Sequence, residues 1–139
     1  MDRATHNVKD ASLVKTKALS NGAGNVATDG LDLGALSLRG GRFEACELKI
    51  DAPALTTTQL PDAETMTYSI ESDDDAEWGS AKVVADKVIL QTGGAGAGAL
   101  AAAARFKIPS DGERYWRVRA TKTGTGDCST LSMTVALLF

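Results

Sequence analysis

The sequence predicts an all-β protein: a single-domain antiparallel β-sandwich, jelly-roll-like, with an extended N-terminal arm. Three observations predict it. Arg114–Thr123 and Ser129–Phe139 both alternate apolar and polar residues with period two, the signature of half-buried strands. Clusters of Gly, Pro, Asn and Asp divide the rest of the chain into further strand-like pieces, about seven to nine in all. No helical pattern recurs between them, which argues against a parallel α/β sheet and for a sandwich or jelly roll.

Residues 1–11 are polar and without period, and read as the arm. The domain spans 12–139. Ser12–Leu19 reads as a first strand ended by the turn-forming Asn21-Gly-Ala-Gly24, and Val26–Gly34 as a short, glycine-interrupted piece at a sheet edge. Gly40-Gly41 launches the strand Arg42–Asp51, in which Cys46, Leu48 and Ile50 share one face and Glu47, Lys49 and Asp51 the other. Pro53 ends it. Ala52–Ala63, rich in Thr and carrying Pro53 and Pro61, reads as a long connection, and loops of that size are more often functional or interface-forming than idle.

Thr65–Glu71 alternates with Met66, Tyr68 and Ile70 inward, and Ser72–Glu77 makes a turn. Lys82–Ala85 and Lys87–Thr92 read as two short strands. In Gly93–Ala104 the glycines favour a flexible loop and the Ala run one or two helical turns. Arg105–Pro109 is a brief strand, and Ser110–Glu113 leads into the last two strands. These read as a hairpin around Gly124-Thr-Gly-Asp-Cys128, with Trp116, Val118 and Ala120 facing the core and Tyr115, Arg117 and Arg119 facing out.

A chain of 139 residues, 43% hydrophobic and 24% charged, can bury a core without disulfides or metals. Its apolar runs fall short of the roughly 18 residues a membrane helix needs, and Met1–Asp10 has no apolar signal region, so the chain is expected to fold where it is made. A net charge of −3 argues against general nucleic-acid binding. Charge is segregated along the chain: seven acidic residues and no basic one lie between Asp62 and Glu77, and six basic residues lie between Arg105 and Lys122, against Asp111 and Glu113. Such separation could align unlike surfaces of neighbouring molecules, or form two solvated patches. Cys46 and Cys128 read as free thiols.

Catalytic and cofactor patterns are weak. Gly96-Ala-Gly-Ala-Leu-Ala101 matches a dinucleotide fingerprint in letters but lacks the βαβ unit that such a site requires. Asp73, Asp74, Asp75 and Glu77 offer oxygen ligands for calcium without the order of an EF-hand loop, and a solvated acidic turn is the simpler reading. His6 has no second histidine and no positioned nucleophile. No carboxylate pair is singled out for glycoside hydrolysis. No catalytic, metal or cofactor residue is therefore assigned. The suggestive grouping is Tyr115, Arg117 and Arg119, residue types enriched at protein interfaces, on one outward strand face. With the acidic Asp73, Asp74 and Asp75 they form the candidate protein-interface set.

Several pieces taken in order resemble the capsid cement, or head-decoration, proteins of tailed bacteriophages. They are Leu31-Asp-Leu-Gly34, the Ser72-Asp-Asp-Asp turn after a Tyr-x-Ile strand, Ile108-Pro109, Arg114-Tyr-Trp-Arg-Val-Arg-Ala-Thr-Lys-Thr-Gly-Thr125, and a last strand ending Val-Ala-Leu-Leu. The resemblance spans most of the chain from about Asn25. It implies a jelly-roll-like sandwich without enzyme activity on the outer surface of a virion. Its partners would be the major capsid protein and copies of itself, commonly as a homotrimer, with no nucleic acid and no membrane. The Gly93–Ala104 tract and the Met1–Asp10 arm depart from the family pattern. A carbohydrate-binding β-sandwich module is the alternative, for which Trp78, Tyr115 and Tyr68 are the available aromatics.

Overall fold

The computed structural model describes residues 13–33, 46–109 and 112–138. The N-terminal arm with His6, the Gly40-Gly41 launch and the first residues of the strand after it, and Phe139 lie outside these. Among the described residues every regular element is a strand: β1 (Val14–Ala18), β2 (Gly24–Ala27), β3 (Leu31–Asp32), β4 (Glu47–Ala52), β5 (Thr65–Asp73), β6 (Lys82–Thr92), β7 (Ala102–Lys107), β8 (Tyr115–Lys122) and β9 (Ser132–Leu138). No helix among them is long and apolar enough to cross a membrane.

The strands form two antiparallel sheets, ordered β1-β9-β4-β7 and β2-β8-β5-β6, with β3 also pairing β8. With β2 and β3 taken as one interrupted strand, the chain folds in half about the β5–β6 turn. From there β5 pairs β6, β4 pairs β7, β2 and β3 pair β8, and β1 pairs β9. This nested wrap is a jelly roll.

Alternation places the core between the sheets. Leu48 and Ile50 of β4, Met66, Tyr68 and Ile70 of β5, Trp116 and Val118 of β8, and Met133, Val135 and Leu137 of β9 are all buried. Each such side chain contributes roughly 1.5–3 kcal/mol by leaving water. Cys46 and Cys128 are buried free thiols, and burial pushes the Cys46 thiol up to about 11.

The last two strands are not a hairpin. β8 lies between β2 and β5 in one sheet, whereas β9 lies between β1 and β4 in the other, and residues 123–131 cross the sandwich. Alternation identified the buried face of each strand correctly, but it is equally satisfied whichever sheet supplies the neighbour. The two short strands expected across Lys82–Thr92 are one strand whose register against β5 shifts between Tyr68 and Ile70. There Lys87 has φ of 51° and donates its N–H to Ser69 Oγ at 3.0 Å, while Ser69 Oγ donates to Asp86 Oδ1 at 2.8 Å. Ser72 and Asp73 close β5 instead of opening the turn.

Helical turns do not form in the Gly/Ala tract. Ala102–Ala104 begin β7, because pairing with β4 outweighs the small intrinsic preference of Ala for helix. The preceding loop is clamped to the 52–63 connection by reciprocal Leu55–Ala99 backbone hydrogen bonds, both 2.9 Å. A Cβ on Gly98 would collide with the Leu55 carbonyl, and one on Gly93 with the Pro61 carbonyl, so these glycines are required by close backbone approach. Leu55 and Leu60 point into the core and fasten the long connection from its own side.

Candidate functional site

The outer face of the β2-β8-β5-β6 sheet carries the polar residues that the sequence singles out. Antiparallel register sets Tyr115 opposite Asp73, Arg117 opposite Glu71 and Arg119 opposite Ser69. Tyr115, Arg117, Arg119 and Asp73 therefore share one face, and Asp74 and Asp75 follow in the turn at its end.

Glu71 is the hub. Its carboxylate accepts from Arg117 Nε at 2.7 Å (Oε2), and Arg119 Nε lies 2.7 Å from its other oxygen. Its side chain is only 6% exposed, and that of Arg117 13%. Arg119 reaches further, to Asn25 Oδ1 at 3.3 Å. The guanidinium of Arg117 also stacks over the Trp78 ring, 4.1 Å from its centroid, a cation–π contact. Trp78 in turn packs on Gly30, where a Cβ would lie 2.9 Å from the indole.

The acidic turn is built on its own carboxylates. Asp73, buried at the end of β5, accepts the N–H of Asp75 at 2.9 Å and of Ser80 at 2.8 Å. These backbone donors, Asp75 first, hold its carboxyl below the usual range. Asp75 accepts from Glu77 N at 3.0 Å. The loop thus closes by Asx-type hydrogen bonds and brings Trp78 back over β8. Asp74 and Asp75 remain exposed, and Tyr115 is half-buried beneath the Arg114 guanidinium, which sits 5.1 Å from its ring centroid. Arg114 also holds Asp32 with two hydrogen bonds, of 2.8 and 3.0 Å.

All six sequence-predicted residues therefore come together, but in differing roles. Asp73 shapes the turn, Arg117 is committed to Glu71 and Trp78, and Asp74, Asp75, Tyr115 and part of Arg119 face solvent. The acidic and basic stretches meet inside one molecule through Glu71. Sequence reading missed Glu71 as the hub because register, not alternation, brings it between two arginines. Its outward parity after Tyr68 and Ile70 was the available signal. Trp78 carried no periodic signal at all.

The arrangement can bind through charge, hydrogen bonding and one aromatic edge. No group of three or more His, Cys, Asp or Glu able to hold a metal ion exists among the described residues. The aromatics open to a glycan are engaged: Tyr68 is buried with its hydroxyl 3.1 Å from Gln91 Oε1, Trp78 covers Arg117, and Tyr115 lies under Arg114.

No family model and no curated protein matches the sequence. Among solved structures the chain is similar to the PBSX exported protein XepA, with a TM-score of 0.54 and 16% identity over 94% of this chain and 38% of that one. It thus spans well under half the length of that protein. Empty particles of cowpea mosaic virus give a TM-score of 0.41 at 8% identity over 68% of this chain and 51% of that one. At 16% identity the likeness to XepA establishes a shared fold, and an all-β antiparallel sandwich is the conclusion it supports.

Proposed function

We propose that this chain is a structural virion protein that binds the outer surface of a tailed-phage capsid and stabilises the mature shell, without enzyme activity. The observation that carries the reading is how the molecule distributes its chemistry. Glu71, Arg117, Arg119, Asp73 and Arg114 are engaged in holding the sheet face together, while Val83, Val84, Leu90 and Leu100 stand exposed on a tightly tied scaffold. Rigid presentation of apolar and charged surface suits a binding protein. The sequence resemblance to cement proteins supports the same reading, and so does the jelly-roll wrap, shared with an exported protein of PBSX.

The mechanism is mass action. A protein that binds the mature shell and not its precursor or its opened form stabilises the bound form by about 4 kcal/mol per site when free protein exceeds Kd a thousandfold. Copies that also touch one another gain avidity, on the order of 10² to 10⁴, so modest individual contacts suffice. The exposed Asp74 and Asp75 and the half-buried Tyr115 and Arg119 are the proposed polar part of these contacts. Co-sedimentation with undecorated mature heads of the encoding phage tests the reading: binding should saturate at a fixed ratio to the major capsid protein, and absence of binding would reject it.

A further inference from the structure

Of the asparagines in the chain, Asn7 and Asn25 precede valine, whose branched side chain shields the backbone nitrogen that follows, whereas Asn21 precedes glycine. The fold leaves that glycine uncovered. Asn21 is exposed, Gly22 has φ of 83°, and a Cβ built on Gly22 would meet nothing nearer than the Thr125 carbonyl oxygen, 3.9 Å away. The pair lies between β1 and β2, where an isolated antiparallel bridge sets Asn21 opposite Asp127. In this bridge Gly22 N–H donates to the Gly126 carbonyl at 3.2 Å and Cys128 N–H to the Ser20 carbonyl at 3.0 Å. Bonds so placed make Asn21 and Asp127 a non-hydrogen-bonded pair, the kind whose facing side chains come closest. Asp127 is exposed, and its carboxylate accepts Ser129 N–H at 2.8 Å.

We propose that Asn21 is a self-modification site, converted to aspartate and isoaspartate through the Gly22 nitrogen, and that the bridge to Asp127 sets the rate. The Gly22 nitrogen attacks the side-chain carbonyl carbon of Asn21. A carbon–nitrogen bond forms there, the bond from that carbon to Nδ2 breaks, and ammonia leaves with the Gly22 amide proton. Water then opens the cyclic imide at either of its carbonyls. While the bridge is closed, the Gly22 N–H is held by Gly126, so attack waits for local opening. A bond at the long end of the usual range, in a bridge outside the regular strands, opens more readily than a strand interior. The product changes the site in turn. A carboxylate at position 21 faces that of Asp127 in the closest cross-strand position, where like charges repel. Each conversion therefore loosens the turn between β1 and β2 from the β8–β9 crossing, and the change is one-way. It is independent of shell binding and is measured without any capsid present.

Incubation of the full chain at mildly alkaline pH, native and in urea, followed by intact mass and peptide mapping, tests it. The native protein should gain one mass unit, confined to the peptide that holds Asn21 and Gly22, and Asn21→Gln should lose that gain. The unfolded chain should convert roughly tenfold faster or more, the worth of the two bridge hydrogen bonds. Asn21→Asp reproduces one product and should quicken hydrogen exchange of the Gly22 amide roughly two- to fivefold. Adding Asp127→Asn should reverse this, because the repulsion goes while an oxygen remains for Ser129 N–H. Far-UV circular dichroism of each variant reports folding. A native chain left unmodified while the unfolded one converts would overturn the proposal, as would conversion chiefly at Asn7 or Asn25. Equal native and unfolded rates, or Gly22 exchange indifferent to Asn21→Asp, would also overturn it.

Discussion

Lys122 Nζ lies 2.9 Å from Glu64 Oε2, and the lysine side chain is wholly buried while the glutamate keeps 20% of its surface. The lysine follows Trp116, Val118 and Ala120 on the inward face of β8, so alternation carries it into the sandwich. Its charge is met by Glu64 and by the Thr123 carbonyl at 2.9 Å. Glu64 also accepts from Thr125 N at 3.2 Å, so one carboxylate ties the start of the β8–β9 crossing to β5.

The two ends of this pair should respond unequally. Glu64→Ala leaves a buried ammonium without its counter-charge, whereas Lys122→Met leaves a carboxylate that water still reaches. Thermal denaturation should therefore show the larger fall in Tm for Glu64→Ala. Equal losses, or the reverse order, would contradict the pairing.

Gly124 tests the same contact sterically. It has φ of 82°, and a Cβ there would collide with the Glu64 carboxyl. Gly124→Ala should destabilise by roughly 1–3 kcal/mol through backbone strain and displacement of the carboxylate. Urea titration with an unchanged midpoint would show that the crossing is not held this closely.

Acid should loosen these contacts. Lys122, the first cause, holds the Glu64 carboxyl below its ordinary value, and backbone donors do the same for Asp73. A group with a depressed folded pKa contributes stability that is fully present above its unfolded value, about 4 for these carboxylates, and lost as pH falls through the folded one. Urea midpoints should thus hold from neutral pH down to about 5 and then fall. Glu64→Gln should shrink that fall, and a variant with the wild-type slope would remove Glu64 from the account.

Legibility followed parity. The buried faces of β4, β5, β8 and β9 could be read from alternation, because sandwich strands bury one face each. Sheet membership could not: nothing local distinguishes a β8 that pairs with β9 from one that pairs with β2. The Ala102–Ala104 segment was misread because its preference for helix is local, whereas its partner Ala52–Ile50 lies some fifty residues away. The inward place of Lys122 is readable in principle from its parity, two residues beyond Ala120, although a lysine is ordinarily a surface residue. At the candidate site, the face shared by Tyr115, Arg117 and Arg119 was visible in sequence, while its hub at Glu71 and its cover at Trp78 came from register and from a loop closed by Asp73.

The Glu71 hub should matter more than its individual spokes. Glu71→Ala leaves Arg117 and Arg119 together without their counter-charge in a largely desolvated site and should cost about 3 kcal/mol. Arg119→Ala, at a side chain 34% exposed, should cost about 1 kcal/mol or less. Chemical denaturation of both variants checks the ranking.

The central claim is stabilisation of a capsid, and its most direct measurement is the temperature at which matched undecorated phage heads release their DNA, with and without saturating protein. The account predicts a higher release temperature that rises with protein concentration and levels off at saturation. An unchanged release temperature at a concentration where the protein demonstrably coats the heads would contradict it.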